Sequence, residues 1–277
     1  MPGALQPKTT VVVTVWDSYV SARLNEAVRT LLGQDHHAVL LVVDNASSVP
    51  LPGFPAEVRV MRSPRRLTVG GARNFGLQAV NTPYVVFWDA DDVMFDGTLA
   101  FLEEQLQRDR RLVAFGAAIV EEPSGLRHRW PRRWVATVIR HRWLFALLNC
   151  VWSMYPTTGA TIMRTEAVRE CGGYAETNTG DDYCLSVALA CKGRLGWSER
   201  PGRGYLQHPE SIMANSGSRG QLLLNARRAR ARMLAQPELP RAVTLAGPAL
   251  ALAQWCAVSA HTVLDVIRLR AGGAGQA

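Results

Sequence analysis

Short apolar runs alternate with amphipathic segments along the first part of the chain. The apolar runs are rich in β-branched residues, and the segments between them repeat apolar positions every three to four residues. This alternation predicts an α/β sheet with helices on both faces, and strands this apolar should be buried on both sides. The predicted strands are Val11–Val15, Val39–Val43, Val58–Met61 and Tyr84–Trp88, and the predicted helices are Ala22–Leu32, Ala72–Val80 and Thr98–Gln107.

Beyond Glu122 the alternation stops. An arginine- and tryptophan-rich block, Arg127–Trp152, is followed by TTGATIM, by a helix predicted at Asp181–Lys192 and by an arginine-rich helix near Gln221–Leu234. The block contains no acidic residue, so we expect it to contact an anionic group. Its tryptophans either stack on a ligand or pack as the core of an amphipathic helix. They are Trp130, Trp134, Trp143 and Trp152.

Composition restricts the class of protein. A chain of 277 residues with 48% hydrophobic and 19% charged side chains can bury one large domain. Its five cysteines form no C-x-x-C pair, which argues against a zinc site or a disulfide framework and fits a reducing cytoplasm. Of its 31 basic residues 29 are arginine, which indicates a GC-rich bacterial coding bias. The N-terminus lacks the pattern of a secretory signal, so we expect a cytoplasmic location.

Acidic residues end two of the predicted strands. Asp44 ends one, and Asp89 and Asp91 follow the other, within FWDADD. Because alternate residues of a strand face the same side, Asp89 and Asp91 can face one point, while Asp92 faces elsewhere. Such a pair suits Mn²⁺ or Mg²⁺, which would bind substrate phosphate oxygens at its open positions. The alternative is that D-A-D-D only caps a helix beginning near Asp96.

A glycine-rich turn lies between these two strand ends. In TVGGARNFGL, Gly70 and Gly71 allow close backbone approach before a helix, and Arg73 in its first turn can bind phosphate. A plain glycine turn with a surface arginine is the alternative. The carboxylate of Asp44 can accept the imide N–H of a uracil or thymine ring.

One ordered series of motifs resembles glycosyltransferase family 2, the inverting enzymes of the GT-A fold. The resemblance extends over roughly residues 10–210. It implies a Rossmann-like mixed, mostly parallel sheet flanked by helices, to which a C-terminal helical appendage is added. The series runs VVVTV, AVRTLLGQ, LLVVDNASS, GGARNFGL, YVVFWDADD, TGATIMRTEAVRECGGY and GDDYCLSVAL.

The resemblance also implies residue roles. Asp44 is similar to the base-recognising aspartate, and Arg73 to the arginine near the diphosphate. Asp89 and Asp91 resemble the D-x-D pair, of which the first faces the ribose and both are metal ligands. Asp182 stands at the position of the general base, and Asp181 replaces the usual Glu before it. The other residues implied in nucleotide-sugar binding are Val15, Trp16, Asp17, Asn45, Gly71, Ala90 and Gly159, with Gly159 leaving room for the donor sugar.

The sequence departs from the family pattern beside the expected base. Trp16–Tyr19 replaces the usual Pro-Thr-Tyr-Asn, and Asn45 replaces a common second Asp. A UDP-sugar donor is favoured, with dTDP and GDP as alternatives. His208 lies where several GT-A enzymes carry a late metal ligand or diphosphate contact, although a loop histidine that caps a strand end fits equally well.

The implied reaction is metal-dependent transfer of a sugar, with inversion, from a nucleotide-diphosphate sugar to an acceptor hydroxyl. One alternative is a nucleotidyltransferase acting on sugar phosphates, which should carry a lysine-containing glycine loop near its first strand, and VTVWDSYVSA has none. The other alternative is a non-catalytic sugar-nucleotide-binding module. The joint presence of four aspartates disfavours it, namely Asp44, Asp89, Asp91 and Asp182.

The predicted domains are 1–215, catalytic, and 216–277, a C-terminal helical segment. No charged residue occurs from Ala242 to Ala260, as in a membrane helix, but Pro248, His261 and Asp265 interrupt the wider apolar stretch. A helix on the inner face of the plasma membrane, or one packed on the catalytic domain or on a second subunit of a homodimer, fits at least as well. No nucleic-acid partner is predicted.

Overall fold

The computed structural model describes residues 6–122, 129–130, 133–151, 153–178, 180–206 and 219–256. His208, predicted as a metal ligand, and the side chains of Trp130 and Trp152 lie outside the described part of the chain.

A mixed sheet forms the centre of the described chain. Its strand order is β3-β2-β1-β4-β8-β6-β9-β5, and β7 pairs with β6. The first four strands in this order are mutually parallel, as are β6 and β9, whereas β8 runs antiparallel to both of its neighbours. The strands are β1 Thr9–Val15, β2 Ala38–Asp44, β3 Val58–Arg62, β4 Tyr84–Asp89, β5 Val93–Met94, β6 Leu112–Glu122, β7 Arg129–Trp130, β8 Thr161–Arg164 and β9 Arg194–Leu206.

Helices cover both faces of this sheet, and a 3₁₀ turn, Asp17–Tyr19, follows β1. Residues 247–256 are also helical. The predicted α/β arrangement is therefore confirmed. The other helices are α1 Ala22–Leu32, α2 Val69–Gln78, α3 Thr98–Arg108, α4 Arg133–Val138, α5 Arg142–Asn149, α6 Thr165–Glu170, α7 Asp181–Lys192, α8 Arg219–Leu234 and α9 Arg241–Leu245.

Alternate residues of the strands build two cores, one on each face. In β1, Val12 belongs to the core under α2 and α7, whereas Val11 and Val13 belong to the core under α1 and α3. The prediction that every strand is buried on both sides is wrong for β3, because Val60 is 52% exposed. This strand pairs only with β2 among the described strands, so it forms an edge of the sheet.

Helix α2 begins at Val69 rather than at the predicted Ala72. The side chain of Thr68 accepts a hydrogen bond from the N–H of Gly71 at 3.1 Å and caps the helix before its two glycines. Glycine has low helix propensity, so the pattern of the sequence concealed the first turn. Helices α1 and α7 have the predicted limits.

A third cluster joins α5 and α7 to the C-terminal helices. Met233 of α8, Val243 of α9 and Leu250 are buried in it, and Trp143 packs against it. Trp134 is instead 51% exposed, so a core role for the tryptophans is wrong at this position. Within the described residues, no helix has the length and apolarity that a membrane span requires.

Candidate active site

The sheet register brings three strand ends, two of them acidic, to one edge. Val15 pairs with Asp44, and Thr14 pairs with Asp89, so β1, β2 and β4 end together. An open cavity of about 160 Å³ lies at this edge. It is lined by Thr14, Trp16, Tyr19, Val69, Arg73, Asp89, Ala90, Asp91, Thr158, Asn178, Gly180, Asp181, Asp182, Arg203 and Tyr205.

Arg73 connects two acidic groups across this cavity. Its guanidinium donates to Asp89 Oδ1 at 2.8 Å and is ion-paired with Asp181. All three side chains are largely buried. A buried arginine with two carboxylate partners is a structural part of the site, so the alternative of a surface arginine is wrong.

The N–H groups at the N-terminus of α2 form hydrogen bonds with other parts of the protein. The N–H groups of Val69 and Gly70 donate to Asn178 Oδ1 at 3.2 Å and to the carbonyl of Thr177 at 3.1 Å. A Cβ on Gly70 would lie 1.8 Å from the carbonyl oxygen of Ala175. The backbone that approaches this turn closely is therefore that of the segment before α7, and the turn is closed to phosphate by these contacts.

Arg203 is a second buried arginine, and the motifs of the sequence did not point to it. It lies in β9, donates to Asp89 Oδ2 at 2.8 Å and is ion-paired with Asp92. Asp92 is fully buried and turned away from the cavity, as predicted. The alternative in which D-A-D-D caps the next helix is wrong, because Gly97 is the N-cap residue of α3.

Gly159 makes room for Arg203. The glycine has φ +78°, and a Cβ added to it would lie 2.4 Å from Nη1 and 2.5 Å from Cδ of Arg203. The space beside Gly159, which we expected a donor sugar to occupy, therefore holds this arginine. Thr158, the preceding residue, lines the cavity.

The five linked side chains form what we term the charge chain, in which acids and arginines alternate. Burial alone would raise the pKa of its central residue, Asp89, but the charges of Arg203 and Arg73 outweigh that effect and lower it. The chain thereby keeps Asp89 ionised. In order, its members are Asp181, Arg73, Asp89, Arg203 and Asp92.

Asp181 and Asp182 begin α7 but have different environments. Asp181 is paired with Arg73, whereas the carboxylate of Asp182 accepts the N–H of Tyr183 at 2.8 Å. Burial, followed by the negative charge of Asp181, raises the pKa of Asp182 to about 6. A carboxylate with a pKa just below neutrality suits proton transfer at physiological pH.

The carboxylates of the cavity fit a cation site with few protein ligands. Both oxygens of Asp89 are bonded to arginines, whereas Asp91 lines the cavity directly. Among the described residues no group of three or more His, Cys, Asp or Glu side chains has a metal-binding arrangement. One carboxylate completed by phosphate oxygens is a usual setting for Mg²⁺, so the donor set is chemically suitable.

A second group of polar residues, termed the nucleotide rim because it contains the side chains expected beside a nucleotide base, lies at the ends of β1, β2 and β3. Asp44 accepts the N–H of Ser47 at 2.8 Å and is ion-paired with Arg62. Asn45 fixes the loop before α2 through two hydrogen bonds to the backbone of Leu67, at 2.8 and 3.0 Å.

Asp17 and Trp16 complete the nucleotide rim. Asp17 pairs with Arg66 at 3.0 Å, and the same guanidinium lies over the ring of Trp16, 4.9 Å from its centre. Asp17 has φ +27° and is held there by the backbone and hydroxyl of Ser48. The Asp17–Arg66 ion pair thus lies beside the ring of Trp16.

The structure gathers part of the predicted set around the cavity. Outside the cavity lining are Asp17, Asp44 and Asn45 of the nucleotide rim, Val15 inside the sheet, Gly71 inside α2, and Gly159. Those that line it are Trp16, Arg73, Asp89, Ala90, Asp91, Asp181 and Asp182.

Residues 10–172 match the sequence model of Glycosyl transferase family 2. The chain belongs to glycosyl transferase family 2. The match covers more than half of the chain and confirms the family and the predicted enzyme class, a nucleotide-sugar-dependent glycosyltransferase. No curated protein sequence is detectably similar to this family 2 chain.

Solved structures confirm the GT-A fold of this family 2 enzyme. TarS residues 1–349 of S. aureus in complex with UDP-GlcNAc align with TM-score 0.65 and 16% identity, covering 83% of this chain and 67% of that one. The corresponding complex with UDP aligns with TM-score 0.62 and 16% identity, covering 85% and 68%. A further structure of S. aureus TarS aligns with TM-score 0.62 and 15% identity. That alignment covers 89% of this chain and 43% of the TarS chain.

Proposed function

We propose that this enzyme transfers a sugar, with inversion, from a nucleotide-diphosphate sugar to an acceptor hydroxyl, with Asp182 as the general base. The observation that carries the proposal is the different environment of two adjacent carboxylates in one cavity. Burial raises the pKa of both groups, but Asp181 is ion-paired with Arg73, whereas Asp182 accepts the N–H of Tyr183 and has a pKa raised to about 6. An acceptor hydroxyl needs a base of this kind beside the anomeric carbon.

The proposed reaction is a single displacement. Asp182 takes the proton of the acceptor hydroxyl as its oxygen attacks the anomeric carbon, and the bond to the nucleotide diphosphate breaks on the opposite side. An α-linked donor then gives a β-linked product. Arg73 supplies positive charge beside the departing diphosphate, where electrostatic stabilisation contributes most.

A divalent cation, Mn²⁺ or Mg²⁺, would be held by Asp91 and by the diphosphate of the donor, with Asp89 beside it and His208 as a further ligand. When bound, such an ion neutralises charge on the leaving nucleotide. The excess of acid over base in the cavity favours this assignment, since Arg73 and Arg203 face Asp89, Asp91, Asp181 and Asp182.

A UDP-sugar is the favoured donor. Structures of similar fold contain UDP-GlcNAc and UDP, and Asp44 lies at the nucleotide rim, where a base could stack on Trp16. Because the rim departs from the family pattern at Trp16–Tyr19 and Asn45, dTDP- and GDP-sugars belong in the same test.

One panel experiment tests the proposal. Purified protein is incubated with UDP-, dTDP- and GDP-sugars and Mn²⁺, and the released nucleotide is identified. Release of a nucleoside diphosphate, by transfer or by slow hydrolysis, supports a glycosyltransferase. Pyrophosphate formed from a nucleoside triphosphate and a sugar phosphate would favour a nucleotidyltransferase, and binding without turnover of any donor would favour a binding module.

We further propose a catalytic domain, residues 1–215, and a C-terminal helical segment, 216–277, that contacts an anionic membrane surface. Leu245, Leu252 and Trp255 are exposed at 80%, 64% and 52%. Leu245 ends α9, and Leu252 and Trp255, three positions apart, lie on one face of the helix 247–256. Exposed arginines accompany them, which favours negatively charged lipid. These arginines are Arg227, Arg228, Arg232 and Arg241.

A further inference from the structure

The turn that carries the D-x-D pair is held by a side chain from a distant strand. Arg203 of β9 contacts Asp89 at the end of β4 and Asp92 three residues later. The same nitrogen, Nη2, makes both contacts. Because these partners lie on either side of Asp91, the arginine fixes both ends of the short segment on which Asp91 is carried.

Arg203 and Arg73 divide the two oxygens of Asp89 between them. Arg73 bonds Oδ1 and Arg203 bonds Oδ2, both at 2.8 Å. A carboxylate bonded on both oxygens by buried guanidinium groups cannot rotate without breaking a charge-assisted hydrogen bond. The orientation of Asp89 is therefore set jointly by α2 and β9.

The side chain of Arg203 packs against the backbone of Gly159. Its positive φ and the 2.4 Å distance from a built Cβ to Nη1 mean that a side chain here would displace the guanidinium. The fold thus combines a glycine and an arginine, 44 positions apart in the sequence, to place one positive charge beside Asp89 and Asp92.

Stability alone does not account for this arrangement. Within the described residues, the buried Nε atoms of both Arg73 and Arg203 have no hydrogen-bond acceptor. A buried donor without an acceptor destabilises the fold, and buried ion pairs are weak evidence of stabilisation. The cost fits a side chain that is retained for the geometry it imposes.

We propose that Arg203 is a positioning residue for glycosyl transfer, seated on Gly159, which holds the turn from Asp89 to Asp92 so that Asp89 and Asp91 face the nucleotide donor. The inference rests on the proposed function. Arg203 acts through Asp89 and Asp91, so its loss should weaken donor binding more than it affects proton transfer by Asp182.

The test compares Arg203→Met with Arg200→Met. Arg200 is an exposed arginine of the same strand, and it contacts the ring of Phe101 and the backbone of Asp96 and Gly97.

With Mn²⁺ present, the dissociation constant of the nucleotide diphosphate is measured by calorimetry. The kcat and KM for the corresponding nucleotide sugar are measured at a temperature well below each variant's Tm. Arg203→Met should raise the dissociation constant and KM by roughly 10–100-fold, the usual effect of removing a residue that orients a ligand. Arg200→Met should leave both near the parent values.

Two further variants separate positioning from folding. Arg203→Lys keeps the charge and one nitrogen that can bond both carboxylates, so it should recover much of the affinity lost in Arg203→Met. Gly159→Ala should weaken donor binding when Arg203 is present and add little when it is combined with Arg203→Met. If Arg203→Met does not fold, Arg203→Gln takes its place in each comparison.

An unchanged nucleotide dissociation constant and KM in the uncharged variant would overturn the proposal, even if its Tm falls. That result is distinguishable from failure of the proposed function. In the latter case the parent protein itself turns over no nucleotide sugar, whereas an error about Arg203 leaves the parent active and Asp91→Ala impaired.

Discussion

Arg73, the fifth residue of α2, is ion-paired with Asp181, the first residue of α7, although 108 positions separate them in the sequence. The pair compensates the charge of one of two consecutive aspartates. Asp182, the other, keeps a carboxylate whose pKa is raised to about 6. Two residues of identical chemistry thereby have different partners, which fits the separate tasks that we propose for them.

Replacement of the two aspartates should distinguish these tasks. Asp182→Asn should lower the transfer rate by about two to four orders of magnitude, the usual contribution of a positioned general base. Its affinity for nucleotide should stay near the parent value, because a base that acts on the acceptor adds little to donor binding. The measurement is transfer rate beside nucleotide affinity by calorimetry.

Asp181→Asn is the matched control for that experiment. It removes the partner of Arg73 and should reduce donor affinity more than Asp182→Asn does, with a smaller loss of rate. An active Asp182→Asn enzyme together with an inactive Asp181→Asn enzyme would reverse the assignment and make Asp181 the base.

The rate should depend on pH through Asp182. Because the base must be deprotonated and its pKa in the free protein is raised to about 6, kcat/KM should rise with pH, reach half of its maximum near pH 6 and then level off. The charge of Asp181 is one cause of the raised pKa, so Asp181→Asn should move this acid limb to lower pH. A kcat/KM profile that is flat between pH 5 and 7, or an acid limb that moves to higher pH in Asp181→Asn, would contradict the prediction.

The sequence predicted the elements that carry strong local patterns and missed those set by distant contacts. The limits of α1 and α7 and the acidic strand ends at Asp44 and Asp89 follow from periodicity and from strand chemistry. Arg203 has no such signal, because β9 contains glycine, proline and charged residues and its arginine is buried only by pairing with Asp89 and Asp92.

The same reason explains the glycines. GGARNFGL is typical of a phosphate-binding turn, yet the N–H groups of Val69 and Gly70 are taken by the segment before α7. Gly159 was expected to face a sugar and instead faces Arg203. A glycine in the sequence indicates that another group lies close to its backbone. Only the tertiary structure identifies which group that is.

Removal of divalent metal should abolish turnover. Excess EDTA should stop release of nucleotide, and Mn²⁺ or Mg²⁺ should restore it. Asp91→Ala should weaken nucleotide binding in the presence of Mn²⁺ as well as the rate, because its carboxylate would hold the ion that binds the diphosphate. Full activity in excess chelator would exclude a metal role for the D-x-D pair.

Asp44→Ala should weaken nucleotide binding by roughly 1–3 kcal/mol, the cost of losing a buried charged hydrogen bond. The variant also leaves Arg62 without its carboxylate partner. Asp35→Ala is the control, because Asp35 is exposed and precedes β2 at the opposite edge of the sheet. If Asp44→Ala and the parent bind every nucleotide equally in calorimetry, recognition of the base belongs to Trp16–Tyr19.

The apolar face of the C-terminal helices should bind anionic membranes. We expect the protein to co-sediment with vesicles of phosphatidylglycerol and phosphatidylcholine more than with phosphatidylcholine alone, and less so as salt is raised. Leu252→Glu combined with Trp255→Glu should abolish binding, because both side chains are more than half exposed. Arg227→Gln with Arg228→Gln should weaken it by about 2 kcal/mol, since each basic residue near an anionic surface contributes about 1 kcal/mol. Val60→Glu, at an equally exposed apolar position on β3, should bind as the parent does. A different result would contradict membrane binding. If the parent protein does not bind vesicles and is a dimer by light scattering, and the variant with Leu252→Glu and Trp255→Glu is a monomer, this face contacts a second subunit instead.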